Sequence, residues 1–183
     1  MSTRLETPRL IIRTFEPRDT EPYHAMVTDP EVTRYLPPPA SPRTMKTTQA
    51  AIEFRLAMEA EVGYAMWAVE DKTTAAFLGQ CGIWAIDEDY GPENDLAYCY
   101  PRTSWNKGYG TEAVIAVLGH GLGALGLDRI TAVAVQANVG SWRVLEKSGM
   151  RYEGLATYGE MADLKKYAAE RQWWRAPHNS EGT

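Results

Sequence analysis

The 183-residue sequence predicts one α+β domain on a mixed, twisted sheet of six or seven strands flanked by helices. Three observations predict it. Strand-like and helix-like runs follow one another as strand, helices, hairpin, strand, helix, strand, helix, strand, strand. Ile130 to Val135 is apolar on both faces, which suits a central strand covered by helices. Between strand-like Asp95 to Tyr100 and a helical run lies Trp105-Asn106-Lys107-Gly108-Tyr109-Gly110-Thr111-Glu112-Ala113, a glycine turn at the start of a helix.

The elements read in order as follows. Arg9 to Arg13 is the first strand, bounded by Pro8 and Pro17. Asp19 caps a helix to about Val27, with Tyr23, Met26 and Val27 as its apolar side. Val32 to Leu36 forms a further helical turn before Pro37-Pro38-Pro39 breaks regular structure. Ser41-Pro42 reads as a cap and first-turn proline for a helix running to about Glu61, with Met45, Thr48, Ile52, Leu56 and Glu59 as a moderate stripe. Gly63 ends it. Tyr64 to Glu70 and Phe77 to Ile86 form a hairpin, and Gly79 and Gly82 mark a bulge or a close approach. Asp87 to Asn94 is an acidic connection, either a solvated turn or a rim suited to a cationic substrate.

After the glycine turn, Val114 to Leu125 reads as a helix, with Ala113, Val114, Val117, Leu118, Leu122 and Leu125 on one side. Its glycines imply close packing or early fraying. Val139 to Lys147 is a short helix capped by Asn138 and closed by Gly149. Met150 to Leu155 and Ala162 to about Trp173 are the last strands. The domain spans 1–176, and 177–183 reads as a disordered tail.

Composition narrows the function. A net charge of -5 argues against a nucleic-acid or anionic-membrane binder, yet permits a small basic pocket. Cys81 and Cys99 lie in apolar runs and read as buried thiols of a reducing compartment. No run is long and apolar enough to span a membrane, and the N-terminus has no signal-peptide core, so a cytoplasmic protein is expected. No metal site is expected.

The glycine turn carries chemistry by its backbone. The first amides of a helix have no partner within it, and their dipoles add toward positive charge. With glycines at 108 and 110 leaving those amides uncovered, the turn suits a phosphate. It is not a Walker loop, since no Gly-Lys-Ser/Thr follows, and it has two of the three glycines of a dinucleotide fingerprint. A tight turn that needs glycine is the alternative.

Four segments together resemble a known family. They are Glu6-Thr7-Pro8-Arg9-Leu10-Ile11-Ile12-Arg13, the Trp105 to Ala113 turn, Asn138 to Gly154 (opening Asn138-Val139-Gly140-Ser141-Trp142), and Asp163-Leu164-Lys165-Lys166-Tyr167. Over roughly residues 6 to 174 the chain resembles the GNAT-fold acyl-CoA N-acyltransferases, in the branch of the ribosomal-protein N-terminal acetyltransferases. The resemblance implies a sheet whose central strands splay apart. It implies that Trp105, Asn106, Lys107, Gly108, Tyr109, Gly110 and Thr111 hold the pyrophosphate of coenzyme A. The pantetheine arm would pair with backbone around Cys99 and Tyr100, in the manner of an added strand. Asn138 would bind that arm or shape its thiol end, and Ser141, one turn later, would bind there and protonate the leaving thiolate. Read locally, Asn138 is a plain helix cap and Ser141 an exposed helix serine.

The implied reaction is direct attack of a primary amine on acetyl-CoA. The base is Asp95, its neighbour Glu93, or a water chain. His24 reads as structural. Cys99 is set aside as nucleophile, because no histidine lies near it in sequence and the family forms no covalent intermediate. Tyr35, Trp84 and Tyr158 are candidates for an acceptor channel, and Lys165, Lys166, Arg171 and Arg175 form a mild basic cluster. The acceptor is a protein or peptide N-terminus, or alternatively a small amine such as a drug, polyamine or amino-acid derivative. A noncatalytic acyl-CoA-binding module is the remaining alternative. A monomer or homodimer is expected.

Overall fold

Eight strands form one mixed sheet in the computed structural model, which describes residues 2–37, 43–85 and 94–177. In chain order they are β1 (Arg4–Glu6), β2 (Leu10–Arg13), β3 (Met66–Asp71), β4 (Phe77–Ala85), β5 (Asn94–Cys99), β6 (Arg129–Ala134), β7 (Arg151–Tyr158) and β8 (Met161–Glu170). Across the sheet the order is β1-β2-β3-β4-β5-β6-β8-β7. All neighbours are antiparallel except β5 and β6.

The strand beyond the expected six or seven is β1. It has three residues, and Leu5 is its one apolar side chain, so it carries no alternation to read. Its partner dictates it: Leu5 pairs with Ile12 of β2, and Leu5 packs against the core.

Five helices cover the sheet: α1 (Thr20–Thr28), α2 (Pro30–Thr33), α3 (Met45–Val62), α4 (Tyr109–Gly119) and α5 (Val139–Lys147). Two apolar clusters mark the two faces. The larger joins Trp67, Ile83, Leu96 and Tyr100 of the sheet region to Val114, Val117 and Leu118 of α4 and Leu145 of α5. The smaller joins Ala68 and Cys99 to Tyr23, Met26 and Val27 of α1 and Ile52 of α3. Successive side chains of β5 therefore serve opposite faces.

Helix α3 explains its weak stripe. Its buried residues are Thr48, Ile52, Arg55 and Glu59, while Met45 and Leu56 of the expected stripe are exposed. Three of the four are polar because each meets a polar partner: Thr48 meets His24, Arg55 meets Tyr23, and Glu59 meets Trp67. The helix opens on Thr44, in a reciprocal cap with Thr47, and closes on Gly63 as expected. The expected cap at Ser41-Pro42, the break at Pro38 and Pro39, the acidic residues 87–93 and the tail from residue 178 lie outside the described residues.

Helix α4 starts five residues earlier than the apolar stripe suggests, at Tyr109, because the glycine turn is itself the helix start. It passes at Gly119 into a wider turn over His120–Ala124. Gly121 there packs closely on the sheet: a Cβ would stand 2.6 Å from Ile130 Cδ1 and 2.7 Å from Ile83 Cδ1, so both side chains would have to shift.

The feature that positions the site is the junction of β5 and β6. Among the described residues they pair only at Asn94–Ile130 and Asp95–Thr131. Beyond that point β5 continues beside β4, through Gln80–Cys99, and β6 continues beside β8, through Ala134–Lys165. The two parallel strands part, as the resemblance implied.

Candidate active site

The gap between β5 and β6 leads to the start of α4. Gly108, with φ 78°, is the residue before the helix, and no side chain caps it. A left-handed backbone at this position favours glycine. The first bond back into the turn is Glu112 N–H to Gly108 O, at 3.1 Å. Glu112, the acid of the first turn, does not cover the open amides. Its carboxylate accepts from the Thr7 hydroxyl (2.6 Å), the Arg9 amide (2.9 Å) and Arg9 Nε (2.6 Å). Arg9 Nη1 also donates to the Lys107 carbonyl (2.9 Å), and its guanidinium lies 4.8 Å from the Tyr109 ring centre. The Thr7-Pro8-Arg9 segment is thus a brace for the glycine turn. Burial alone would raise the Glu112 carboxyl, but the bonds from Thr7 and Arg9 hold it below the ordinary carboxylate value.

The other edge of the turn is tied to β5. Trp105 Nε1 donates to the Tyr100 carbonyl at 2.7 Å, so the half-exposed indole fixes the strand end against the loop. That bond gives a structural reason for tryptophan here.

A cavity of about 690 Å³ runs along this edge. Its size is that of a ligand pocket. Trp105, Asn106, Gly108, Tyr109, Gly110 and Thr111 border one end, and Cys99, Val32, Tyr35 and Leu36 border it as well. Tyr98, Tyr100, Asn138 and Ser141 lie along it. Asn138 caps α5, its Oδ1 accepting from the Ser141 amide at 3.3 Å. The Tyr98 hydroxyl donates to the Ser141 carbonyl at 2.8 Å and lies 3.0 Å from Ser141 Oγ. Burial raises the Tyr98 phenol well above its ordinary value, so it keeps its proton at neutral pH. The serine hydroxyl is therefore held at the cavity wall by a neutral phenol.

All but one of the expected cofactor-binding residues border this cavity. The exception is Lys107, whose side chain is exposed and whose carbonyl receives Arg9. Asp95 is buried at the closed end of the gap, paired in register with Trp84 and Thr131, and is not among the residues bordering the cavity. It shares the α1/α3 face of β5 with Cys99, four residues on. Glu93 lies outside the described residues. Burial pushes the Cys99 thiol up to about 12, which leaves it protonated and unsuited to nucleophilic attack. Of the three aromatic channel candidates, Tyr35 borders the cavity, whereas Trp84 stacks near Phe54 and Tyr158 ends β7. His24 Nδ1 lies 2.8 Å from Thr48 Oγ1, away from the cavity. In the expected basic cluster, Lys165 sits over the Trp142 ring and Arg171 pairs with Asp128.

Sequence reasoning missed Tyr98, Arg143 and Lys147. Tyr98 reads only as one apolar residue of a strand. Arg143 and Lys147 are exposed on α5 and border the cavity as its cationic side chains. Their spacing of four, one helical turn beyond Asn138, was the available signal. No group of three or more potential metal ligands occurs among the described residues. No helix among them is long and apolar enough to cross a membrane.

Comparison with known proteins agrees with this geometry. The chain matches the family model "Acetyltransferase (GNAT) domain" over residues 9–151. It is 31% identical over 151 residues to the uncharacterized protein YkkB of Bacillus subtilis, covering 82% of this chain and 86% of that one. The uncharacterized N-acetyltransferase YoaA of the same organism is 31% identical over 154 residues, covering 82% and 84%. Among solved structures, a GNAT-family acetyltransferase from Bacillus anthracis superposes with a TM-score of 0.79 at 26% identity, covering 93% of this chain and 100% of that one. Mycobacterium smegmatis RimJ in complex with CoA-disulfide superposes with a TM-score of 0.77 at 20% identity, covering 93% and 87%. Uncapped amides at α4, parted strands beside them and a family match across both place the chain in the GNAT acetyltransferase family, as an N-acetyltransferase.

Proposed function

We propose that the chain moves an acetyl group from acetyl-CoA to a primary amine by direct attack, with the α-amine of a protein or peptide N-terminus as acceptor. The observation that carries the donor half is the two-pair contact of β5 with β6, which leaves a gap opening onto the uncapped start of α4. The residues fit the donor. Three amides, of Tyr109, Gly110 and Thr111, precede the first intrahelical bond and suit a diphosphate. Arg143 and Lys147 add positive charge along the cavity. The strand edges of β5 and β6 that do not pair with each other suit an amide-bearing arm. That a structural neighbour, RimJ, is in complex with CoA-disulfide supports this placement.

Ser141 is the proton donor to the departing thiolate, and Tyr98 positions it through the bond to its carbonyl. Asn138 sets the start of α5 and so the height of Ser141 along the cavity. The proton of the ammonium leaves on the α1/α3 face of β5, where Asp95 acts through water. The protein acceptor is supported by the likeness of fold, at a TM-score of 0.76, to RimL, a ribosomal L7/L12 alpha-N-protein acetyltransferase. A small-amine acceptor is the second reading, favoured by a cavity of about 690 Å³, the size of a small-molecule pocket. Thiol release from acetyl-CoA, measured against peptides of varied N-terminus and a panel of small amines, tests the reading. Turnover with peptides alone selects the first acceptor. Turnover with small amines alone selects the second, and turnover with neither removes the enzymatic reading.

A further inference from the structure

Two arginines of this chain are equally hidden and differently treated. Arg13 is 5% exposed and meets two buried carboxylates, Asp19 at 2.8 Å and Glu70 at 2.8 Å. Arg55, 7% exposed on α3, meets none: no Asp or Glu among the described residues lies within 4.0 Å of it. It donates to the Ala51 carbonyl and to the Tyr23 hydroxyl (2.7 Å) and faces the rings of Phe15, Tyr23 and Trp84. Its Nε has no partner. A guanidinium cannot shed its charge in a protein, so the charge stays and is unbalanced.

The surroundings deepen the imbalance. Gln80 is 8% exposed, stands beside Cys99 in register, and leaves Oε1 without a partner. Gln80 also approaches the Tyr23 hydroxyl. Arg43, half-buried just before α3, stands near enough to be felt at both Tyr23 and Cys99, and it too forms no ion pair among the described residues. Cys99 borders the cavity, and so do Val32 and Leu36, which pack with Tyr23 and Ile52 around it. Among the described residues, two cations without counter-ions, one unmet donor and one unmet acceptor thus gather beside Cys99, which borders the cavity.

We propose that this cluster receives a carboxylate of the acceptor: Arg55, helped by Arg43 and Tyr23, selects amines that carry a negative charge near the nucleophile. The inference rests on the acetyl-transfer reading and names its substrate class. Two sources supply the same chemistry, the carboxylate of a free amino acid and the acidic side chain of a peptide that opens on Asp or Glu. Gln80 Oε1 is placed to accept from the N–H groups of such a molecule.

The test compares kcat/KM for free amino acids with their C-terminal amides, and for peptides opening on Asp or Glu with those opening on Asn or Gln. The expected preference for the charged member is about 10- to 100-fold in one of the two series. Arg55→Met is expected to reduce that preference to about twofold or less while leaving coenzyme A affinity, measured by calorimetry, within about threefold. If Arg55→Met lowers coenzyme A affinity as well, Arg43→Met at the more exposed position carries the comparison, with a smaller expected loss. The series in which the preference appears identifies the source. Transfer to neutral and charged members alike, or a preference untouched in both variants, overturns this inference and leaves acetyl transfer standing. No transfer to any amine overturns both.

Discussion

The proposed donor side of the cavity and the polar cluster behind Cys99 are built in opposite ways. The donor end is made of backbone: amides at the start of α4, strand edges of β5 and β6, and side chains such as Glu112 and Trp105 that hold the backbone in place without filling it. The proposed acceptor cluster is made of side chains from distant segments, with Tyr23, Arg43, Arg55 and Gln80 brought by α1, α3 and the sheet beside Cys99, which alone of the five borders the cavity. The difference teaches where specificity resides. In the proposed reading, backbone groups would recognise the diphosphate and the amide arm that every acyl-CoA donor shares. Side chains can change one at a time, and in the same reading they would set which amine is taken.

The largest expected effect separates chemistry from both ends. Ser141→Ala removes the hydroxyl held by Tyr98 and should lower kcat about 100-fold, with coenzyme A affinity changed little. Tyr98→Phe should lower kcat less, since the serine remains and only its support is lost. Equal turnover for Ser141→Ala with every acceptor would remove its acid role.

Next comes the donor end itself. A Cβ at Gly110 would lie 3.5 Å from Val144 Cγ2 and 3.6 Å from Tyr100 Cε2, ordinary contact with no room for more. Gly110→Val, with two further methyls, should weaken coenzyme A binding about tenfold or more by calorimetry, about 1.4 kcal/mol for each tenfold. It should leave the amine preference as it was. A change in preference without a change in affinity would break the division of labour.

Asp95→Asn sharpens the acceptor side. With Asp95 accepting the proton through water, the variant should turn over several-fold more slowly at neutral pH and recover as pH rises. A rate profile unchanged between about pH 6 and 9 would retire this acid as the base.

The smallest effect concerns the brace. Glu112 has a folded value below its ordinary 4.5, so its contribution is present above that pH and is lost as pH falls through the folded value. Glu112→Gln should cost about 1 kcal/mol or less at neutral pH and flatten the acid side of the stability profile. Thermal melts between about pH 3 and 7 read both. An unchanged acid limb would mean that the brace contributes nothing through its charge.

The donor end was legible because its signals are contiguous. A strand, two glycines and a helix start lie within Leu96 to Ala113, and Asn138 with Ser141 lie one turn apart. The splay of β5 from β6 was expected through family resemblance, and the two-pair register shows it. The acceptor end was not legible. Arg55 sits on a helix whose stripe looked merely moderate, and nothing in its neighbours announces burial. Its environment comes from Tyr23, 32 positions earlier, and from Trp84 across the sheet. Strand β1 escaped for a related reason: three residues with one apolar side chain take their conformation from β2. The role of Thr7 and Arg9 was visible only as a motif, and Glu112, more than 100 positions away, supplies its physical reason.

Hydrogen exchange at the amides of residues 109–111, and at those amides of 96–100 that face the gap toward β6 rather than β4, with and without coenzyme A, tests the central claim most directly. Parted strands and an uncapped helix predict fast exchange at these positions in the free protein and strong slowing when coenzyme A is added. Amides already slow in the free protein, or exchange unchanged at saturating coenzyme A, would mean that the backbone groups are satisfied within the fold and that no acyl donor is gripped there.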